Sequence, residues 1–201
     1  DTVRLERVQV QASLAGSGIA IDATGDHVEL VEVTAEATAS GAAMGIRVRA
    51  ATLRVDGLVA SADGDGARGA DLAATTEAVL TEVDASASGG AAEAVGLRAQ
   101  SAELELVQVR VTDVDGATAV GIELMATGTI LALDLLSRRV LGADAGLGLV
   151  ALAGGDLDLR GLTVSRVEGA AAHGLIASGA GAIAVSSGRV ERVRAGGAAA
   201  S

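Results

Sequence analysis

Val3-Arg4-Leu5-Glu6-Arg7-Val8-Gln9-Val10, near the start of the chain, and Leu157-Asp158-Leu159-Arg160-Gly161-Leu162-Thr163-Val164, near its end, place apolar residues at the same four offsets. Counted from the first apolar residue, these are 0, 2, 5 and 7. The pattern returns at Val28, Leu53, Ala78, Leu104 and Leu131, and once more at Ile183, in steps of 25 to 27 residues. That period is too long for a heptad or a hexapeptide repeat. It is the length of one supersecondary unit, which cannot bury its apolar face alone and must stack on its neighbours.

Apolar residues two apart describe a short strand, because side chains alternate along extended backbone. The intervening step of three predicts a bend that resets which side faces inward. A second landmark follows in each unit, a glycine leading into alternating apolar residues. It is seen in Gly18-Ile19-Ala20-Ile21, Gly45-Ile46-Arg47-Val48, Gly69-Ala70-Asp71-Leu72, Gly96-Leu97-Arg98-Ala99, Gly121-Ile122-Glu123-Leu124, Gly148-Leu149-Val150-Ala151 and Gly174-Leu175-Ile176-Ala177. Three short strands per turn predict an all-β fold, a right-handed parallel β-helix solenoid of about 26 residues per coil and seven or eight coils. A helical repeat would space its apolar residues by three and four, which period-two runs of Val and Ile do not fit. A leucine-rich repeat needs an Asn in each unit, and this chain has none.

Stacking in register turns each offset into a column along the axis. Like charges side by side in a column repel, so mixed signs are expected. After the glycine the outward column reads Arg47, Asp71, Arg98, Glu123, and at offset 1 it reads Arg4, Glu29, Arg54. Such exposed pairs contribute about 0 to 1 kcal/mol each and serve chiefly to fix register.

The chain holds 201 residues with a net charge of −11, and its fifteen basic residues are all Arg. It contains no Phe, Tyr, Trp, Pro, Cys, Lys or Asn, an alphabet that points to a GC-rich coding sequence or to a designed one. An acidic surface without base-stacking aromatics argues against nucleic acid and anionic membranes as partners. No apolar run is long enough to span a membrane as a helix, and the absence of cysteine leaves the redox compartment open. Residues 1–201 read as one β-helix domain. Its first repeat begins by Val3 and its last runs into a loop near Ser201, without capping units, so it is expected to be a segment of a longer solenoid with flanking coils of the same chain.

The repeat pattern resembles the right-handed parallel β-helix superfamily that includes pectate lyases, polygalacturonases and many bacterial surface proteins. The resemblance covers nearly the whole chain and implies a fold. It also implies that an active member would act on an acidic polysaccharide, with clustered Asp, calcium and Arg, or with several Asp as acid and base. Calcium candidates are Asp63 and Asp65 in Ser61-Ala62-Asp63-Gly64-Asp65-Gly66, and Asp113 and Asp115 in Asp113-Val114-Asp115-Gly116, with Asp84, Glu93 and Asp144 in neighbouring loops. Calcium takes six to eight oxygen ligands. Neither run has the spacing of an established calcium loop, and Asp-Gly is first of all a turn signal.

Asp156-Leu157-Asp158 places two carboxylates on one side of a strand, with Arg160 two residues on. A paired-carboxylate hydrolase would want that proximity, with one acid raised in pKa, yet no aromatic is present to desolvate either group. His173 precedes Gly174 as in the Gly-His-Gly element of polygalacturonases, but Ala172 replaces the first glycine, and that family's Asn- and Lys-containing motifs are absent. His27 lies several coils away from it. The chain is therefore expected to be a non-catalytic structural or surface-interaction segment of a larger secreted or cell-surface bacterial protein. Polysaccharide or another surface protein would be its partner, and no cofactor is required unless calcium binds. The alternative is a polysaccharide lyase or glycoside hydrolase that uses Asp156, Asp158 and Arg160.

Overall fold

In a computed structural model, which describes residues 1–196, every strand pairing is parallel and every step between paired strands is one coil. The described residues form a single sheet wound into a parallel β-helix, without helices. The coil from Leu157 shows the plan most plainly. Leu157–Arg160, Thr163–Gly169 and Ala171–Gly179 are its three strands. In central coils the ladder continues around the corners, so strands such as Glu103–Ala126 and Ile130–Ala153 run unbroken for 24 residues.

The bend between the first and second faces has one cause throughout. Arg7, Glu32, Gly57, Glu82, Gln108, Asp134, Gly161 and Ser187 form a column with φ between 52° and 78°. One left-handed residue turns the chain and flips the inward side, which is what the apolar step of three requires. Only two of the eight are glycine; the others hold a conformation that costs an L-residue roughly 1–2 kcal/mol and is enforced by the stack. A second left-handed column, Asp113, Arg139, Arg166 and Arg192, begins only in the fifth coil. There the ladder shifts by one residue between Ala85 and Ala87, just after the column from Val3 takes its first step longer than 25 residues, from Ala78 to Leu104.

Two landmarks sit differently from the sequence expectation. Leu104 pairs with Ile130, and Ile130 with Leu157, so the first inward residue of that coil is Ile130 and not Leu131. Ile130-Leu131-Ala132-Leu133 is apolar at every position and carries no alternation to set its phase; Ile130 is 1% exposed, whereas Leu131 faces outward between Glu105 and Asp158. Likewise Gly18 pairs with Ala43, so the first coil presents Ala20 to the glycine column.

That column faces inward across a narrow interior. A Cβ on Gly148 would lie 2.4 Å from Val164 Cγ1 and 2.5 Å from the Gly174 carbonyl oxygen; one on Gly45 would lie 2.6 Å from the Gly69 oxygen. The opposing column is Val10, Ala35, Ala60, Ala85, Val111, Ser137, Val164, Val190. The approach is close enough that buried Ser137 donates its hydroxyl hydrogen bond to the Gly148 carbonyl at 2.8 Å. Ala, Val, Leu and Ile fill the core from Ile21 to Val167. No helix of the described residues is long and apolar enough to cross a membrane.

Candidate functional site

The densest array of charged groups lies on the outer side of the glycine-led strands. Arg47 forks onto Asp22, with Nε donating to Oδ1 at 3.0 Å and Nη2 to Oδ2. Arg49 Nη2 donates to Asp71 Oδ2 at 2.9 Å, and Arg68 stands 3.7 Å from the same oxygen. Arg68 continues to Glu93 at 3.1 Å, and Arg98 reaches Glu123 at 2.5 Å. Asp71 is 4% exposed, and its two arginine neighbours compensate the carboxylate charge. The column Arg47, Asp71, Arg98, Glu123 is in register, as the repeat predicted, and Asp22 extends it by one coil. The partner of Asp71 was not foreseen. Arg47 turns back to Asp22, and Arg49, two residues on and on the same side, takes Asp71.

Most other ion pairs also join one coil to the next: Arg4 to Glu29, Arg7 to Glu32, Arg110 to Asp84 and Arg139 to Asp113. The hydrogen bond from Arg47 lowers the pKa of Asp22, and the one from Arg160 lowers that of Asp158.

The calcium candidates are spread over several coils. Asp63 and Asp115 share a column but stand on either side of Ser88, so their backbones are two strand spacings, roughly 9.5 Å, apart. Asp65 lies in the Gly64–Gly66 loop near Gly90, where a Cβ would meet its Oδ1 at 3.0 Å. Asp113 is engaged by Arg139 at 2.6 Å. An open depression of about 320 Å³ gathers Glu36, Asp63 and Asp113 along its wall. Among the described residues, no three acidic or histidine side chains are grouped as a metal ion would need.

Asp156 and Asp158 have separate partners. Asp156 Oδ1 accepts the backbone N–H of Ala182 in the following coil at 2.8 Å. Both oxygens of Asp158 accept from Arg160 Nε at 3.0 Å. A carboxylate held low by a guanidinium is ionised at neutral pH, which suits an ion pair or a base and not a general acid. His27 Nδ1 contacts the Thr52 hydroxyl one coil on, while His173 is exposed and pairs in register with Leu147.

Comparison with protein-family models, with curated proteins and with solved structures gave no match to this chain. Its function is therefore argued from its own residues.

Proposed function

We propose that the chain is a non-catalytic structural β-helix of a larger secreted or cell-surface protein, serving as a rigid spacer and a lateral contact surface. The observation that carries this reading is the use made of the outer charges. Arg4, Arg7, Arg47, Arg49, Arg68, Arg98, Arg110 and Arg139 each pair with a carboxylate in an adjacent coil, so these side chains stiffen the rod and do not converge on a ligand. A catalytic centre needs groups aimed at one reacting atom and pKa values driven apart. Here Asp156 holds the next coil's backbone, and Asp158 is bound to Arg160. Placement outside the cell rests on the resemblance of the repeat to bacterial surface proteins.

The test is incubation with neutral and acidic polysaccharides, with calcium or with chelator, measuring new reducing ends, unsaturated products and the thermal midpoint. A spacer gives no turnover and the same midpoint under both conditions. Turnover abolished by Asp156→Asn or Asp158→Asn would make this an enzyme, and a calcium-dependent rise in midpoint abolished by Asp63→Ala would make it a metal protein.

A further inference from the structure

The outer side of the first strand in each coil departs from the charge order found elsewhere on the rod. In the middle coils Val79 pairs with Glu105 and Glu105 with Leu131, while Thr81 pairs with Val107 and Val107 with Leu133. Val79, Thr81, Val107, Leu131 and Leu133 are half-buried and form an apolar floor that points away from the core. Two rows of carboxylates edge it. Glu77 and Glu103 stand side by side along one edge, and Glu82 and Asp134, with Gln108 between them, follow the left-handed column along the other.

Glu77, Glu82, Glu103, Glu105 and Asp134 are exposed, and none of them makes an ion pair among the described residues. Glu103 accepts a hydrogen bond from the Thr129 backbone N–H at 3.1 Å, which supplies no countercharge. On the glycine-led strands arginine and carboxylate alternate down the column, whereas here Glu77 lies directly beside Glu103, a like-charge contact that opposes stacking. The nearest arginines are Arg54 and Arg160, one coil beyond the floor at either end, and Arg110 across the corner. Arg160 is held by Asp158 and Arg110 by Asp84. An apolar strip edged by charge of one sign is complementary to a partner with an apolar face and the opposite sign. A second copy of the chain would set the same carboxylates against these, and an anionic membrane or a nucleic acid would be repelled likewise. Among the described residues, no three of the carboxylates are grouped as a metal ion would need.

We propose that this face docks a basic amphipathic helix of a partner protein, with the helix's apolar stripe on Val79, Val107, Leu131 and Leu133 and its Lys or Arg side chains on the two carboxylate rows. The dimensions suit a helix lying along the rod axis. The rows at Glu77 and Glu82 are about 16 Å apart along the strand, and a helix with its side chains is about 10–12 Å across. The outer strands of the three coils rise about 10 Å, which helix residues at i, i+4 and i+7 span. Glu105 lies within the floor and calls for a basic side chain above it, since a covered carboxylate without a partner opposes binding. The inference rests on the lateral contact surface proposed above and names what that surface meets.

The probe is a short peptide of leucine and lysine patterned at the helical period, labelled and followed by fluorescence anisotropy. It should bind with an affinity that falls as salt rises, and circular dichroism should show it gaining helix. Leu131→Ser with Leu133→Ser, and separately Glu77→Gln with Glu82→Gln, should each weaken binding about tenfold, with circular dichroism confirming that the coil is intact. Gln108 shows that glutamine suits the left-handed position of Glu82. The glutamine pair should leave the thermal midpoint equal or higher, because it removes a like-charge contact and no ion pair. Asp63→Asn with Asp65→Asn, the same loss of charge outside this face, should change binding by less than about twofold. Four results would overturn the proposal: a peptide that does not bind; oligolysine of equal charge binding as tightly; the asparagine pair weakening binding as much as the glutamine pair; and sedimentation showing the chain pairing with itself until Leu131→Ser and Leu133→Ser prevent it, which gives the face to a second copy. Each of these leaves the spacer reading in place, whereas turnover of a polysaccharide removes that reading and is measured separately.

Discussion

Ser101 is the one buried side chain among the described residues whose polar atom lacks a hydrogen-bond partner. Ala126 in the next coil and Ala153 in the one after continue its column, so alanine already suits the space. Ser101→Ala should therefore raise stability by about 1 kcal/mol, read from the denaturant midpoint, since a buried hydroxyl without a partner costs about that much or more. Gly57 poses the complementary case. Its φ is +78°, and a Cβ there would meet nothing closer than 3.5 Å, so substitution tests backbone strain without a steric clash. Gly57→Ala should cost about 1–2 kcal/mol. That bend was legible in the sequence as an apolar step of three. Which residue would turn left-handed was not, because Arg, Glu, Gln and Ser, types that do not announce positive φ, occupy most of the column beside Gly and Asp.

Gly148 belongs to a strand whose close approach to the opposing face sets the width of the coil. Adding a Cβ at 2.4 Å from Val164 Cγ1 forces the two faces apart, so Gly148→Ala should cost about 1–3 kcal/mol through overpacking, measured in the same way. The ladder on that strand also gives acid sensitivity a sign. The pKa of Asp22 is lowered by Arg47, so its contribution is present above the ordinary aspartate value and is lost as pH falls through the lowered one. Comparison of thermal midpoints for the natural chain and Asp22→Asn should show a difference that is constant near neutrality and shrinks below about pH 4. The sequence made the glycine landmark visible, and with it the ladder Arg47, Asp71, Arg98, Glu123. It misplaced the phase at Ile130 and at Ala20, because a uniformly apolar run in one case and a nearby glycine in the other gave periodicity nothing to choose by. The pairing of Arg49 with Asp71 depends on side-chain reach across a coil, which spacing along the chain does not encode.

Across the whole rod, stability is a sum of coil and interface terms, and it should fade towards the ends where a coil has one neighbour. Amide exchange should be slowest in the coil from Leu97 to Leu124, whose inward residues are fully buried, and fastest in residues 183–195, where most side chains are exposed. The fold was readable because one pattern is repeated eight times. The function was not, because the outer arginines and carboxylates mostly pair with one another from coil to coil and do not converge on one point.

The unequal coils take on meaning in this light. Inward positions hold interchangeable Ala, Val, Leu and Ile, so a chain that paired one coil out of place would still bury a respectable core. The steps from Val3 to Ala78 are each 25 residues, but later ones are 26 or 27, with an added left-handed residue from Asp113 onward. Like the teeth of a key cut to different depths, these odd residues admit one alignment and jam the slipped ones, so trimming Asp113, Arg139 and Arg166, which leaves five of the seven steps at 25 residues, should yield a rod that loses its place while folding.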